Sequence, residues 1–368
     1  MRRCVSFVAT LLCCTACPAE SPTPPENLRE LVDQQVGQLI NERLVIGAAV
    51  GVVLDGTSHE FYLGSNVKGA AQAPTASTLY EIGSITKVIT GTALAAMHLS
   101  DALPLDTPVS TLLPAGTVVP TFREQAITLA HLAEQNSGLP RLPDNFGNDA
   151  DPYANYTAEK LYAFMARHQL RRAPGAEYEY SNLAVGLLGH ALALRAGQSY
   201  EAMMQSRILT PLGMTSTYVH TPETERGRVA QGYGVTLDLF GVRIHSTEAP
   251  WTWDALAGAG ALRSTLPDMM RFLRAAMGGD TPLKEAFALS QQQHFEFAPN
   301  NGVGLNWHLS KDPASGSTLV WHNGGTGGYH SFLGFRDGVG VVVLANTSTD
   351  EIDNAAVGIL DGVGSLPR

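Results

Sequence analysis

Strand-forming segments stand at both ends of this chain, and helix-forming runs fill the middle. Ile46–Leu54 is a Gly/Ala/Val run, followed by Asp55-Gly56 and a second apolar stretch, His59–Leu63, the pattern of a β-hairpin. Toward the other end, 302–309, 329–335 and 340–344 read as strands, and Thr318–Trp321 leads into a glycine-rich motif. Between them the spacing of apolar residues predicts helices over 85–99, 157–170, 182–196, 199–209 and 267–277. Leu28, Leu31, Val32, Val36, Leu39 and Ile40 predict a helix over 27–44, and a last one begins near Ile352. Every strand needs a partner. The simplest solution is one antiparallel sheet built from both chain ends, flanked by the terminal helices, with a helical region inserted. That is an α+β fold over 27–368, with its α/β part from 27–80 and 300–368 and a mainly helical part over 81–299.

All four cysteines, Cys4, Cys13, Cys14 and Cys17, fall in the first 17 residues. The body of the chain can therefore hold no disulfide, zinc–cysteine cluster or cysteine nucleophile. Met1-Arg2-Arg3, an apolar run from Val5 to Cys14 and then small residues read as an export signal over 1–17. The run is too short for a transmembrane helix. Cys14-Thr15-Ala16-Cys17 is similar to a bacterial lipobox, which makes Cys17 the expected lipid anchor of a periplasmic lipoprotein. The Pro-rich stretch over 18–26 suits a tether. With a net charge of −10 and no Lys/Arg run, the chain has no electrostatic grip on nucleic acid. The eleven histidines are scattered and no His-Glu-x-x-His occurs, so neither a metal nor a cofactor is expected. Nor is there a Gly-x-Ser-x-Gly elbow.

Three short motifs carry the chemistry. Ser84-Ile85-Thr86-Lys87 opens a helical run. A serine there meets free backbone N–H groups and the helix dipole, and Lys87 lies one turn up the same face. A buried lysine has a lowered pKa and can take the serine proton. The bland alternative is a capping serine beside a solvated lysine. A second Ser-x-x-Lys, Ser65 to Lys68, sits in a turn between Gly64 and Gly69 and is set aside. Tyr180-Ser181-Asn182 supplies a phenol for proton transfer and an amide to orient lysine or substrate. Tyr153-Ala154-Asn155 has the same form but lies in a Pro/Asp-rich loop, so Tyr180 is preferred. His322-Asn323-Gly324-Gly325-Thr326 follows strand-forming residues, and its glycines let a substrate backbone approach closely. His-x-Gly occurs nowhere else in the chain. Trp251, Trp253 and Trp307 are candidates for the rim of a cleft or for core packing.

In this order the motifs resemble those of the penicillin-recognising serine hydrolases, in particular the class C β-lactamase and DD-peptidase branch. Further resemblance lies in Tyr80-Glu81-Ile82-Gly83, Asn136-Ser137-Gly138-Leu139-Pro140, Pro211-Leu212-Gly213-Met214 and Gly258-Ala259-Gly260-Ala261-Leu262, so it covers nearly the whole chain after the leader. The resemblance implies a β-lactamase/transpeptidase-like fold. It makes Ser84 the acylated nucleophile, Lys87 its proton partner, Tyr180 the general base, and Asn182 a contact of the substrate and of Lys87. Substrate would also bind His322, Gly324 and Gly325, with an oxyanion hole from the N–H groups of Ser84 and Gly325, each worth about 10²–10³ in rate.

The branch carries Lys-Thr-Gly where this chain has His322. None of the five lysines begins such a motif. If protonated His322 binds a substrate carboxylate, kcat/KM is expected to fall between about pH 6 and 8. The expected function is that of an exported acyl-serine hydrolase, first a β-lactamase active in antibiotic resistance, second a D-Ala-D-Ala carboxypeptidase/endopeptidase or an esterase. A further alternative is a penicillin or muropeptide sensor that acylates without turnover. Its partner is a small-molecule substrate, a β-lactam or D-Ala-D-Ala peptide, and the chain is expected to be a monomer.

Overall fold

The computed structural model describes residues 25–147, 151–238 and 240–364. The expected signal peptide over 1–17 lies outside these residues, as does most of the expected tether. The last residue assigned to the tether, Glu26, already starts a helix.

The main sheet has eight strands, β1 Gly47–Leu54, β2 Thr57–Gly64, β3 Phe295–Ala298, β4 Asn301–Val303, β5 His308–Lys311, β6 Thr318–Gly325, β7 His330–Arg336 and β8 Val339–Ala345. Their order across the sheet is β2-β1-β8-β7-β6-β5-β4-β3, antiparallel throughout. β1 pairs with β8 in a register that sets Ala48 against Ala345 and Val53 against Gly340, so the two ends of the chain do share one sheet.

Alternation along β1 assigns its faces. Ala48, Val50 and Val52 pack with Leu28, Val32, Ile352, Ile359 and Leu360 under the terminal helices. The helix α4, Glu351–Val363, lies on this face with the helical segment of Glu26–Val32, a π turn Asp33–Gly37 and Gln38–Asn41. Ala49 and Val53 face the other way, into the larger core shared with α1 (Ile85–Ser100), α2 (Asn182–Ala196) and α3 (Leu266–Ala276). A strand covered on both faces becomes a continuous apolar run rather than an alternating one. Gly51 is required there, because a Cβ would lie 2.2 Å from Met270 Sδ of α3.

Two expectations need correction. The stretch 302–309 is two strands, not one. Asn306 adopts φ 68, Gly304 N–H donates to the Trp307 carbonyl and Leu305 N–H to that of Ser290, so the chain turns at that point. The inserted part, expected to be mainly helical, also carries strands, one of them in the main sheet ahead of the expected bound at 300. Gly232–Leu237 and Arg243–Glu248 form a hairpin whose first strand also pairs with Thr347–Ser348, and β3 joins the sheet before residue 300. The hairpin is largely exposed, and its mix of glycine, threonine and charged residues gives little apolar alternation to read.

Candidate active site

α1 is buried along most of its length, and Ser84 stands at its N-terminus. Ile85, Thr86 and Lys87 N–H groups bond to the carbonyls of Ile82, Gly83 and Ser84. The helix therefore begins in a tight turn, with the Ser84 hydroxyl at the mouth of a cleft of about 530 Å³. Gly83 permits the turn with φ +48.

Lys87 Nζ lies 2.8 Å from Ser84 Oγ and donates to the Ala259 carbonyl at 2.6 Å. That carbonyl is brought within reach because α2 and the Ala257–Ala259 turn touch through glycines. A Cβ on Gly189 would come within 2.8 Å of Gly258 Cα. Lys87 is fully buried, and burial, then repulsion from Arg141, lowers its pKa well below that of an ordinary lysine. Among the described residues no carboxylate sits beside it to restore the ammonium, so the amine is disposed to accept a proton.

Tyr180 precedes α2, where Ser181 caps the helix by accepting from Ala184 N–H. Lys87 Nζ lies 4.9 Å from the Tyr180 ring centre and Arg141 Cζ 5.1 Å from it. Burial of the ring nevertheless raises the phenol pKa, and its interaction with Ser84 only partly offsets this. The phenol keeps its proton. The expectation that neighbouring cations make Tyr180 the base runs against these directions. Beside the serine the site thus sets an amine whose pKa burial lowers and a phenol whose pKa burial raises, directions that suit the first to accept a proton and the second to hold one.

The third wall is β6. Gly324 and Gly83 let this strand press against the nucleophile turn. A Cβ on Gly324 would lie 2.1 Å from the Ile82 carbonyl oxygen and 2.8 Å from Ser84 N, and one on Gly83 would lie 2.9 Å from Gly325 N. Ser331 Oγ on β7 donates to the Ile82 carbonyl at 2.8 Å, fastening the two segments. The amides of Ser84 and Gly325 thus belong to touching stretches of backbone at the cleft, where a carbonyl oxygen could lie between them. Asn323 donates to Asp353 at 2.6 Å, and Asp353 also takes His330 Nε2 at 2.9 Å, so the strand edge is held from behind by α4.

His322 does not take the place expected for a carboxylate binder. It is 1% exposed and sits behind Tyr180, stacked on His308 with ring centres 4.7 Å apart. Its Nδ1 is 2.5 Å from the Asn323 carbonyl oxygen, and its buried Nε2 has no hydrogen-bond partner. Burial, then His308 and Lys87, hold its pKa well below the ordinary value. His308 is likewise lowered, to about 4, and meets the Tyr178 hydroxyl at 2.9 Å. Burial thus works against the cationic form of both imidazoles, which the expected fall in kcat/KM between pH 6 and 8 requires.

Asn182 lines the cleft but does not contact Lys87. Its amide donates to the Tyr153 hydroxyl at 2.7 Å. Tyr153, set aside as a loop residue, is buried and stacked on Trp253 at 3.7 Å. Burial pushes its pKa to about 12. It is therefore a wall of the cleft, together with Trp251. The rejected serine is spent on its own turn, where the Ser65 hydroxyl lies 2.9, 2.8 and 3.1 Å from the carbonyl oxygens of Val67, Ala70 and Gln72. Arg141 was missed. It directly follows Asn136–Pro140, a segment read only as supporting resemblance.

The Beta-lactamase family model matches residues 28–361 of this chain. A Beta-lactamase of Pseudomonas fluorescens is 27% identical over 353 residues, covering 87% of this chain and 94% of the relative. The D-alanyl-D-alanine-carboxypeptidase/endopeptidase AmpH of Escherichia coli (strain K12) is 27% identical over 387 aligned residues, covering 100% of this chain and 97% of that one. A Beta-lactamase of Escherichia coli (strain K12) is also 27% identical, over 375 residues, with 92% and 94% covered.

Proposed function

This chain belongs to the Beta-lactamase family and is a serine hydrolase, and from that premise we propose that it works through an acyl-enzyme on Ser84, with the amide of a β-lactam as its substrate. Neutral Lys87 takes the Ser84 proton as Oγ attacks the carbonyl carbon. The amides of Ser84 and Gly325 receive the developing oxyanion. Tyr180 gives its proton to the departing nitrogen and regains one from the Lys87 ammonium. Water then attacks the ester by the reverse traffic and frees Ser84. The observation that carries this reading is the 2.8 Å approach of a fully buried lysine amine to the serine hydroxyl.

The test is labelling with a fluorescent penicillin. The native chain is expected to acquire one label and lose it on turnover, and Ser84→Ala to acquire none. Equal labelling of both would refute the nucleophile. A second reading, D-Ala-D-Ala carboxypeptidase/endopeptidase, is favoured by the AmpH relative, whose alignment covers the whole chain, and by the buried His322 in place of a third-motif lysine. Release of D-alanine from a D-Ala-D-Ala peptide at a higher kcat/KM than penicillin hydrolysis would select it. The leader over 1–17 supports export to the periplasm, and mass analysis of the mature N-terminus at Cys17 tests the lipid anchor.

A further inference from the structure

The helical wall of the cleft carries a cation that the fold leaves unused. Arg141 has its backbone pinned by the start of α2. Its carbonyl accepts from Asn182 N–H at 3.0 Å and Leu183 N–H at 3.3 Å, and the Pro140 carbonyl accepts from Ser181 Oγ at 2.7 Å. The side chain is exposed and lines the cleft with Ser84. Its guanidinium stands 5.1 Å from the Tyr180 ring centre, and among the described residues nothing accepts a hydrogen bond from it. Other arginines of this acidic chain meet carboxylates: Arg167 with Asp144, Arg172 with Glu179, Arg207 with Asp101 and Arg228 with Glu225. Arg141 keeps a forked set of donors whose geometry matches a carboxylate.

Among the described residues the sheet wall offers no cation free of carboxylates. His330 meets Asp353 and Asp350, Lys87 is sealed behind Ser84, and His322 and His308 are buried and stacked on each other. Asp350 rims that wall, and Asp353 backs it through Asn323 and His330. A carboxylate placed there would meet like charge.

We propose that Arg141 is the specificity residue of this site, gripping a carboxylate of the substrate while Ser84 is acylated. This rests on the reading of Ser84 as nucleophile. It defines the substrate class as anionic acyl compounds bound by the helical wall, not by the glycine-rich strand.

Three esters test it. p-Nitrophenyl acetate is neutral, mono-p-nitrophenyl glutarate has a carboxylate on the acyl half, and 3-acetoxybenzoate has one on the leaving group. The readout is the ratio of kcat/KM for each anionic ester to that for the neutral one, in which the fraction of folded enzyme cancels. Arg141→Gln is expected to lower at least one ratio by about ten- to a hundredfold, chiefly through KM, and Arg141→Lys to keep part of it. Both ratios unchanged in Arg141→Gln, with all activity lost in Ser84→Ala, would overturn this inference alone. Ester hydrolysis that survives Ser84→Ala would overturn the nucleophile reading and this inference with it.

Discussion

The Glu81 carboxylate meets the Arg263 guanidinium at 2.9 Å with both side chains under a tenth exposed. Glu81 also accepts from Trp251 N–H at 2.8 Å, and Arg263 donates to the Trp251 carbonyl. The pair thus ties the nucleophile turn, the short Tyr80–Glu81/Arg263–Ser264 ladder and the tryptophan at the cleft into one unit. Removing one partner leaves a buried charge uncompensated. Arg263→Met is expected to cost about 3–5 kcal/mol in urea unfolding. A change below about 0.5 kcal/mol, the size of an ordinary surface substitution, would show that the pair holds nothing.

Lys87→Met is expected to lower kcat/KM by about 10²–10⁴. Stability should move the other way. Between its lowered pKa and the ordinary lysine value, the unfolded chain binds a proton that the folded chain gives up, so stability rises with pH across that window. The methionine side chain escapes this cost and should raise the thermal midpoint at neutral pH. In the native enzyme, kcat/KM should rise with pH through the lowered pKa of Lys87 and show no fall between pH 6 and 8, since burial holds His322 and His308 below the ordinary imidazole value. A fall in that interval that His322→Gln removes would contradict the assignment.

Tyr180→Phe separates the acid from the base. If the phenol protonates the leaving group, its loss should cost about 10²–10⁴ on an amide or β-lactam, where the departing nitrogen needs a proton. On a p-nitrophenyl ester, whose leaving group departs as an anion, the cost should be much smaller. Equal losses on both substrates would return Tyr180 to the role of base.

Gly324→Ala places a methyl group 2.1 Å from the Ile82 carbonyl oxygen, so β6 must withdraw from the nucleophile turn. Acylation should fall by at least the ~10² of one lost oxyanion donor. Gly227→Ala, whose methyl would meet nothing within 4 Å, is the control and should be silent. A fully active Gly324→Ala enzyme would refute the close approach of the two segments.

Much of this was legible in the chain itself. The hairpin of β1 and β2 and the strands β7 and β8 have apolar patterns that survive without tertiary context, whereas the burial of β1 on both faces emerges only in the fold. The stretch 302–309 misled because Val303, Leu305, Trp307 and Leu309 alternate as in a single strand. The chain turns over 304–307, where the left-handed Asn306 is a faint turn signal. At the site, Ser84, Lys87 and Tyr180 were legible as residue types. The lowered pKa of Lys87 was expected from burial, but the raised pKa of Tyr180 was not, because the extent to which the fold buries its ring is not written in the motif. Tyr153 was discounted on its loop composition. Its importance comes from Trp253 and Asn182, which reach it from elsewhere in the fold.

Because β1 lies between β2 and β8, the sheet cannot close until the segment around residue 345 exists. A chain still emerging from the ribosome has its serine and lysine long before it has β6 to press against them. Its first strand pair lacks cover on one face until α4 arrives, and such distant pairing is slow to form. Hydrolytic competence is therefore withheld until β6, β7 and β8 have been made, so a truncated product lacking those strands would be inert as well as unfinished.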